Sequence, residues 1–271
     1  MEKQLVLNHP ASAYVSKVLF AEGNSNDPFQ NTTLHCFADG LPGIMLCQSE
    51  NDVWLNENKK LASLFLYGQT IRPITITTTG KSRMIVLQLY PHIVKDLFKI
   101  RASELTDSCI NFEELSGSAR EIKARVFSDD PDVQSQIEML SDFIMSLAGR
   151  ADFKYVKELE HALRILGDTS NRLFMRDLYD RLNLTERTAE RRFLDHIGVS
   201  PRQYFRIRRF RSALDQLHRH GSTTLSDVAF DQGYSDQSHF TRSFREFTGL
   251  TPGDYLDQTR SGEPFVLETS P

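Results

Sequence analysis

The chain has 271 residues, 39% hydrophobic and 25% charged, which fits one large or two ordinary globular domains and excludes wholesale disorder. Its net charge of −4 is unevenly spread: residues 1–150 carry −4, residues 151–260 carry +2 and the last eleven carry −2. Apolar runs are too short to cross a bilayer, Met1–Pro10 lacks a signal-peptide layout, and three scattered cysteines (Cys36, Cys47, Cys109) argue against a disulfide framework, so a reducing cytoplasm is the expected compartment.

The first ninety residues read as short strands: Ile44–Gln48, Val53–Asn56, Ser63–Tyr67, Pro73–Thr78 and Arg83–Tyr90. Breakers at Leu41-Pro42-Gly43, Gly68 and Gly80 separate them, and the roughly ten-residue spacing predicts a sandwich or small barrel. After Pro91 the pattern turns helical. Val133, Ile137, Leu140, Ile144 and Leu147 are spaced 4, 3, 4, 3, a short heptad stripe opened by Pro131 and closed by Gly149. Such a stripe either pairs two chains as a dimer interface or packs on the chain's own strands. Gly149–Asp152 is the expected hinge.

From Phe153 onward everything reads as helix. Val156, Leu159, Leu163 and Leu166 form one stripe, Phe174, Leu178 and Leu182 the next, and Leu184, Phe193 and Ile197 a third that ends at Gly198. Ser200-Pro201-Arg202-Gln203 opens a fourth helix with a cap, a proline in the first turn and a capping-box glutamine. Two more helices, Leu225–Asp231 and Ser235–Phe247, precede a last one opened by Thr251-Pro252-Gly253-Asp254. This half repeats at a spacing of 51: Arg191, Phe193, Gly198, Ser200, Pro201 and Tyr204 recur as Arg242, Phe244, Gly249, Thr251, Pro252 and Tyr255. Upstream, Phe174 and Leu178 are matched with Leu225 and Ala229 at the same spacing. Each copy has a short helix, a tight turn, a second helix and a capped exit helix, which is the helix-turn-helix arrangement. The helix running from Pro201 for about seventeen residues, roughly 25 Å, serves as spacer. Nine arginines against four acids between Asn183 and His220 suit phosphate and guanine partners.

Residues 153–257 resemble the DNA-binding domain of the AraC/XylS family of bacterial transcription regulators. The resemblance lies in Arg191-x-Phe193-x4-Gly198-x-Ser200-Pro201-x2-Tyr204-x3-Arg208 and in Asp227-Val228-Ala229-x3-Gly233-Tyr234-x-Asp236-Gln237-Ser238-His239-Phe240-x-Arg242-x-Phe244-x4-Gly249-x-Thr251-Pro252-x2-Tyr255. It implies that the helices over 185–197 and 235–247 are recognition helices. Thr185, Arg187, Glu190 and Arg191 would then reach base edges from the first, and Gln237, Ser238, His239 and Arg242 from the second. Asp236 suits a helix cap better than a base. Arg202, Arg206 and Arg209 share one helical face and are candidate phosphate contacts. Arg208 matches a family arginine and is read as structural.

The resemblance further implies an α+β chain: a cupin-like or jelly-roll β-barrel over 1–128 for sensing or dimerisation, a helix and hinge over 129–152, the double helix-turn-helix domain over 153–260, and a tail over 261–271. Double-stranded promoter DNA is the expected partner. RNA polymerase, a small-molecule effector and a second copy of the chain are further candidates, and the family leans toward activation. Phe37, Trp54, Phe65 and Tyr67 either line an apolar pocket or form core. His9, His35 and His92 are isolated, so no metal and no other cofactor is expected, and no catalytic residue is named. The enzymatic alternative is a cysteine methyl acceptor, for which Cys36 beside His35 is the candidate, without a cysteine cluster around it.

Overall fold

The computed structural model describes residues 2–23, 31–128, 131–168, 175–219 and 224–260. Phe174 and the 261–271 tail lie outside them. Among the described residues ten strands come first: β1 (Glu2–Leu5), β2 (Val15–Gly23), β3 (Asn31–Cys36), β4 (Gly43–Ser49), β5 (Trp54–Leu55), β6 (Lys59–Lys60), β7 (Leu64–Tyr67), β8 (Ile74–Thr79), β9 (Ser82–Leu89) and β10 (Cys109–Asn111). They form two sheets, in the orders β1-β2-β9-β4-β7-β10 and β3-β8-β5-β6, with every pairing antiparallel.

Period-two alternation gives the larger sheet two apolar faces. Met45, Cys47, Phe65, Met84 and Val86 turn toward the smaller sheet and share a core with Leu34 and Ile76. Ile44, Leu46, Leu64, Leu66, Ile85 and Leu87 turn the other way, toward helices. Of the sandwich and the small barrel that the strand spacing allows, the structure is the sandwich: two open sheets packed face to face. Closure would need an edge of one sheet to hydrogen-bond an edge of the other, and β1 and β10 end the first while β3 and β6 end the second.

The helical cover on the outer face comprises α1 (Val94–Phe98), α2 (Phe112–Leu115), α3 (Gly117–Val126) and α4 (Val133–Ala148). Asp132 caps α4 by accepting from the Ser135 N–H at 2.9 Å. The heptad stripe lies on this helix, and it is spent inside the chain. Ile137, Leu140 and Ile144 are fully buried against the larger sheet's outer face, with Val133 and Leu147 packed at the margin of the same core. Each such side chain contributes about 1.5–3 kcal/mol by leaving water, which explains why the stripe exists without a second chain. The dimer-interface reading of Val133, Ile137, Leu140, Ile144 and Leu147 is thereby corrected: these side chains face inward.

Among the described residues seven α-helices follow: α5 (Val156–Gly167), α6 (Met175–Leu182), α7 (Glu186–His196), α8 (Pro201–Arg219), α9 (Leu225–Asp231), α10 (Gln237–Thr248) and α11 (Pro252–Arg260). They enclose two separate cores. The first gathers Leu159, Leu166, Leu178, Phe193, Ile197 and Tyr204. The second gathers Phe210, Leu214, Phe240, Phe244, Phe247 and Tyr255. Helix α8 contributes to both. The spacing of 51 holds from the recognition helices onward: α7 and α10 end at Gly198 and Gly249, which sit at φ +96° and +79°, a left-handed conformation that favours glycine. Upstream of the turns the spacing is 50. Asn183 and Gly233 are the left-handed turn residues, and the N–H groups of Leu184 and Tyr234 donate to the carbonyls of Tyr179 and Ala229. Leu178 thus corresponds to Val228, both fully buried, and Ser235 is the extra residue in the second turn.

Candidate nucleic-acid interface

Thr185 caps α7. Its Oγ1 accepts from the Thr188 N–H at 3.3 Å, and its hydroxyl lies 2.9 Å from that of Thr188. Ala189, Phe193 and His196 turn into the core, so Arg187, Glu190 and Arg191 fall on the exposed face. Leu194 extends that stripe by one turn and is 44% exposed. The motif reading missed it, although the spacing 187, 190, 191, 194 is a plain i, i+3, i+4, i+7 series. Arg192 points the other way, pairing with Glu158 and covering the Tyr155 ring at 4.4 Å.

Asp236 caps α10 by accepting from the His239 N–H at 2.7 Å, with the Ser235 hydroxyl donating to it at 3.0 Å. Those two bonds hold the Asp236 carboxyl below the ordinary carboxylate range, so it stays ionised at the positive end of the helix. Ser238 and Arg242 are exposed. The other two predicted readers are more constrained. Ser226 on α9 donates to Gln237 Oε1 at 2.8 Å, which orients that side-chain amide. His239 is half-buried, edge-on to Tyr234 at 5.3 Å and 3.1 Å from the Ser235 hydroxyl. Burial, reinforced by Arg209 and Arg242, lowers its pKa and keeps the imidazole neutral.

The arginine face of α8 divides. Arg202 is exposed. Arg206 pairs with Glu246 of α10, accompanies Gln203 at 3.0 Å and approaches the Phe247 ring at 5.5 Å. Arg209 lies 4.0 Å from the Tyr234 ring centre and donates to the Gly233 carbonyl at 3.3 Å. The structure thus gives Arg206 and Arg209 partners within the chain, seating the second helix-turn-helix unit on α8.

The β-rich part holds a separate cavity of about 60 Å³ between its sheets, lined in part by Phe37, Phe65, Tyr67 and Cys109. Trp54 does not line it and is 38% exposed. Cys36 also borders it, buried in the inter-sheet core. Among the described residues no helix is long and apolar enough to cross a membrane, and no group of three or more His, Cys, Asp or Glu is placed to hold a metal ion.

Residues 178–258, which include both turns and both exposed stripes, match a family model described as a helix-turn-helix domain. Over 83 residues the chain is 32% identical to the HTH-type transcriptional activator RhaS of Escherichia coli O157:H7. The helical half is an AraC/XylS-type DNA-binding domain. RhaS of Escherichia fergusonii is 34% identical over 73 residues. These matches cover 31% and 27% of this chain but only 29% and 26% of the relatives, so they bear on the AraC/XylS-type domain alone. Residues 9–111 match a second family, a domain of unknown function (DUF6597). Among solved structures, ToxT from Vibrio cholerae O395 bound to (E)-4-(8-methylnaphthalen-1-yl)but-3-enoic acid aligns over 88% of this chain and 98% of its own, with 12% identity and a TM-score of 0.49. The DNA-binding domain of AdpA in complex with a target DNA aligns over 40% and 95%, with 24% identity and a TM-score of 0.34.

Proposed function

We propose that the chain is a sequence-specific transcription regulator that places α7 and α10 in adjacent major-groove segments of one duplex. The observation that carries this reading is the repeat-related pair Arg191 and Arg242, both exposed on the helix that follows a left-handed turn. An arginine there can bridge guanine O6 and N7. Around them, Thr185, Arg187, Glu190, Gln237, Ser238 and His239 supply the remaining polar edges, Leu194 offers an apolar contact for a thymine methyl, and Arg202 a phosphate contact. Two modules on one chain engage sites about one helical turn, roughly 34 Å, apart. The named activity of the RhaS relatives supports activation, hence contact with RNA polymerase, and such work is done in the cytoplasm beside the chromosome. The inter-sheet cavity is the proposed seat of a small apolar effector, its size admitting only a few heavy atoms.

Selection of duplexes from a random-sequence pool by the full-length chain, with and without cell extract, tests the reading. Enrichment of two conserved blocks about one helical turn apart is expected. A single block, or no enrichment under either condition, would count against it.

A further inference from the structure

The repeat places a left-handed glycine at the end of each recognition helix, and the β-rich part touches both. Thr106 Oγ1 donates to the Gly198 carbonyl at 2.7 Å, and a Cβ on Gly198 would lie 2.9 Å from the Ala102 carbonyl oxygen. At Gly249 the corresponding Cβ would lie 3.7 Å from Pro73 Cγ. Between these two points, Ile71 packs against both helical cores. A third loop completes the contact. The Phe37 ring meets Tyr255 at 6.0 Å, Ala38 is buried in the second core, and Gly40, at φ +80°, lies against Tyr204 and Ile207 of α8.

These three loops, 37–41, 69–73 and 102–107, are tied to one another. Asp107 Oδ1 accepts from the N–H of Ile71 at 2.7 Å and of Arg72 at 3.3 Å, and the Asp107 N–H donates to the Gln69 carbonyl at 2.8 Å. The buried Gln69 side chain then donates to the Gly40 carbonyl at 2.9 Å. A continuous connection therefore runs from Gly198 through Thr106, Asp107 and Ile71 to Pro73 and Gly249 without passing along α8.

We infer that the β-rich domain is a brace that fixes the separation of the two recognition helices, with Asp107 as its positioning residue. Within the helical half, the two cores are joined by α8, a rod of 19 residues, about 28 Å long, and such rods bend. A second, independent connection removes the bending and twisting that one rod permits. The two-site engagement of DNA then depends on spacing, because simultaneous contact is lost where the geometry forbids it. The DNA consequence rests on the reading of α7 and α10 given above; the brace itself does not.

The test uses the full-length chain with Cys109→Ser and spin labels on cysteines replacing the exposed Arg181 of α6 and Arg245 of α10. The parent should give one narrow distance distribution. Asp107→Ala, which removes the acceptor, should at least double its width, and Asp107→Asn, which keeps an acceptor oxygen, should restore it. Ile71→Ser should broaden it as well, and provides a second reading if Asp107→Ala does not fold. Unchanged widths in the folded variants would overturn the brace. On duplexes selected by the parent and respaced by one to three base pairs, the parent should discriminate by about tenfold and Asp107→Ala by about twofold. A pool that yields no bound duplex would remove the DNA reading, while the distance measurement still decides the brace.

Discussion

Acidification should loosen the contact between the end of α7 and the β-rich part, and the group responsible is His196. This side chain is 4% exposed, its ring stands edge-on to Tyr155 at 5.6 Å, and Nδ1 has no hydrogen-bond partner among the described residues, with Asp96 Oδ1 3.9 Å away. Burial, helped by Lys95 and Arg192 against the opposing charge of Asp195, lowers its pKa from 6.5 to about 4. The native state therefore holds the ring neutral where the unfolded chain would protonate it. The folded value being depressed, this contribution to stability is complete above about pH 6.5 and is lost as the pH falls toward 4. At pH 5 the loss is about 2 kcal/mol, or about 4–8 °C in melting temperature for a chain of this size. Asp96 works in the opposite sense, because burial raises its carboxyl pKa. The assay is thermal unfolding of the parent and of His196→Gln at pH 7.5 and pH 5.0. The parent should lose about 4–8 °C more than the variant on acidification. Equal losses would refute a buried neutral histidine at this contact.

Two further outcomes follow from where side chains lie. Arg202→Ala should weaken binding to all duplexes alike and reduce the salt slope by about one, whereas Arg206→Ala and Arg209→Ala should each lower thermal stability by about 0.5–1 kcal/mol and leave that slope unchanged. Denaturant titration and affinity measured across salt concentrations separate the two behaviours. Leu140→Ala should cost about 2–5 kcal/mol of stability without altering the molar mass seen by sedimentation, because its side chain fills the chain's own core. A change of mass at unchanged stability would restore the dimer seam.

The helical half was legible because its signals are local. Cap, proline, glycine and apolar stripe recur within a dozen residues, so α7 and α10 follow from Thr185, Asp236 and the glycines that end them. The five strands read from sequence fall on β4, β5, β7, β8 and β9; β1, β3, β6 and β10 went unread, and so did the longest, β2. Its Val15-Ser16-Lys17-Val18-Leu19-Phe20 run is broken by a register shift between Val15 and Lys17, which destroys the alternation that announces a strand. The heptad stripe on α4 was correctly periodic, but periodicity records an apolar face and not what covers it. The same limit applies to the arginines of α8. Their spacing fixed a common face, but only the tertiary structure brings Glu246 and Tyr234 to Arg206 and Arg209. Long-range ties such as Asp107 to Ile71 join residues 36 apart and leave no mark in either segment.

Whether two reading heads work on one duplex is tested most directly by half-site substitution. Affinities of the parent, Arg191→Ala and Arg242→Ala are measured by fluorescence anisotropy on the selected duplex and on duplexes with single base changes in each block. Each variant should cost about 1–3 kcal/mol and lose base preference in one block only, a different block for each arginine. If both variants lost preference in the same block, or neither lost any, the two-headed reading of this chain would be contradicted.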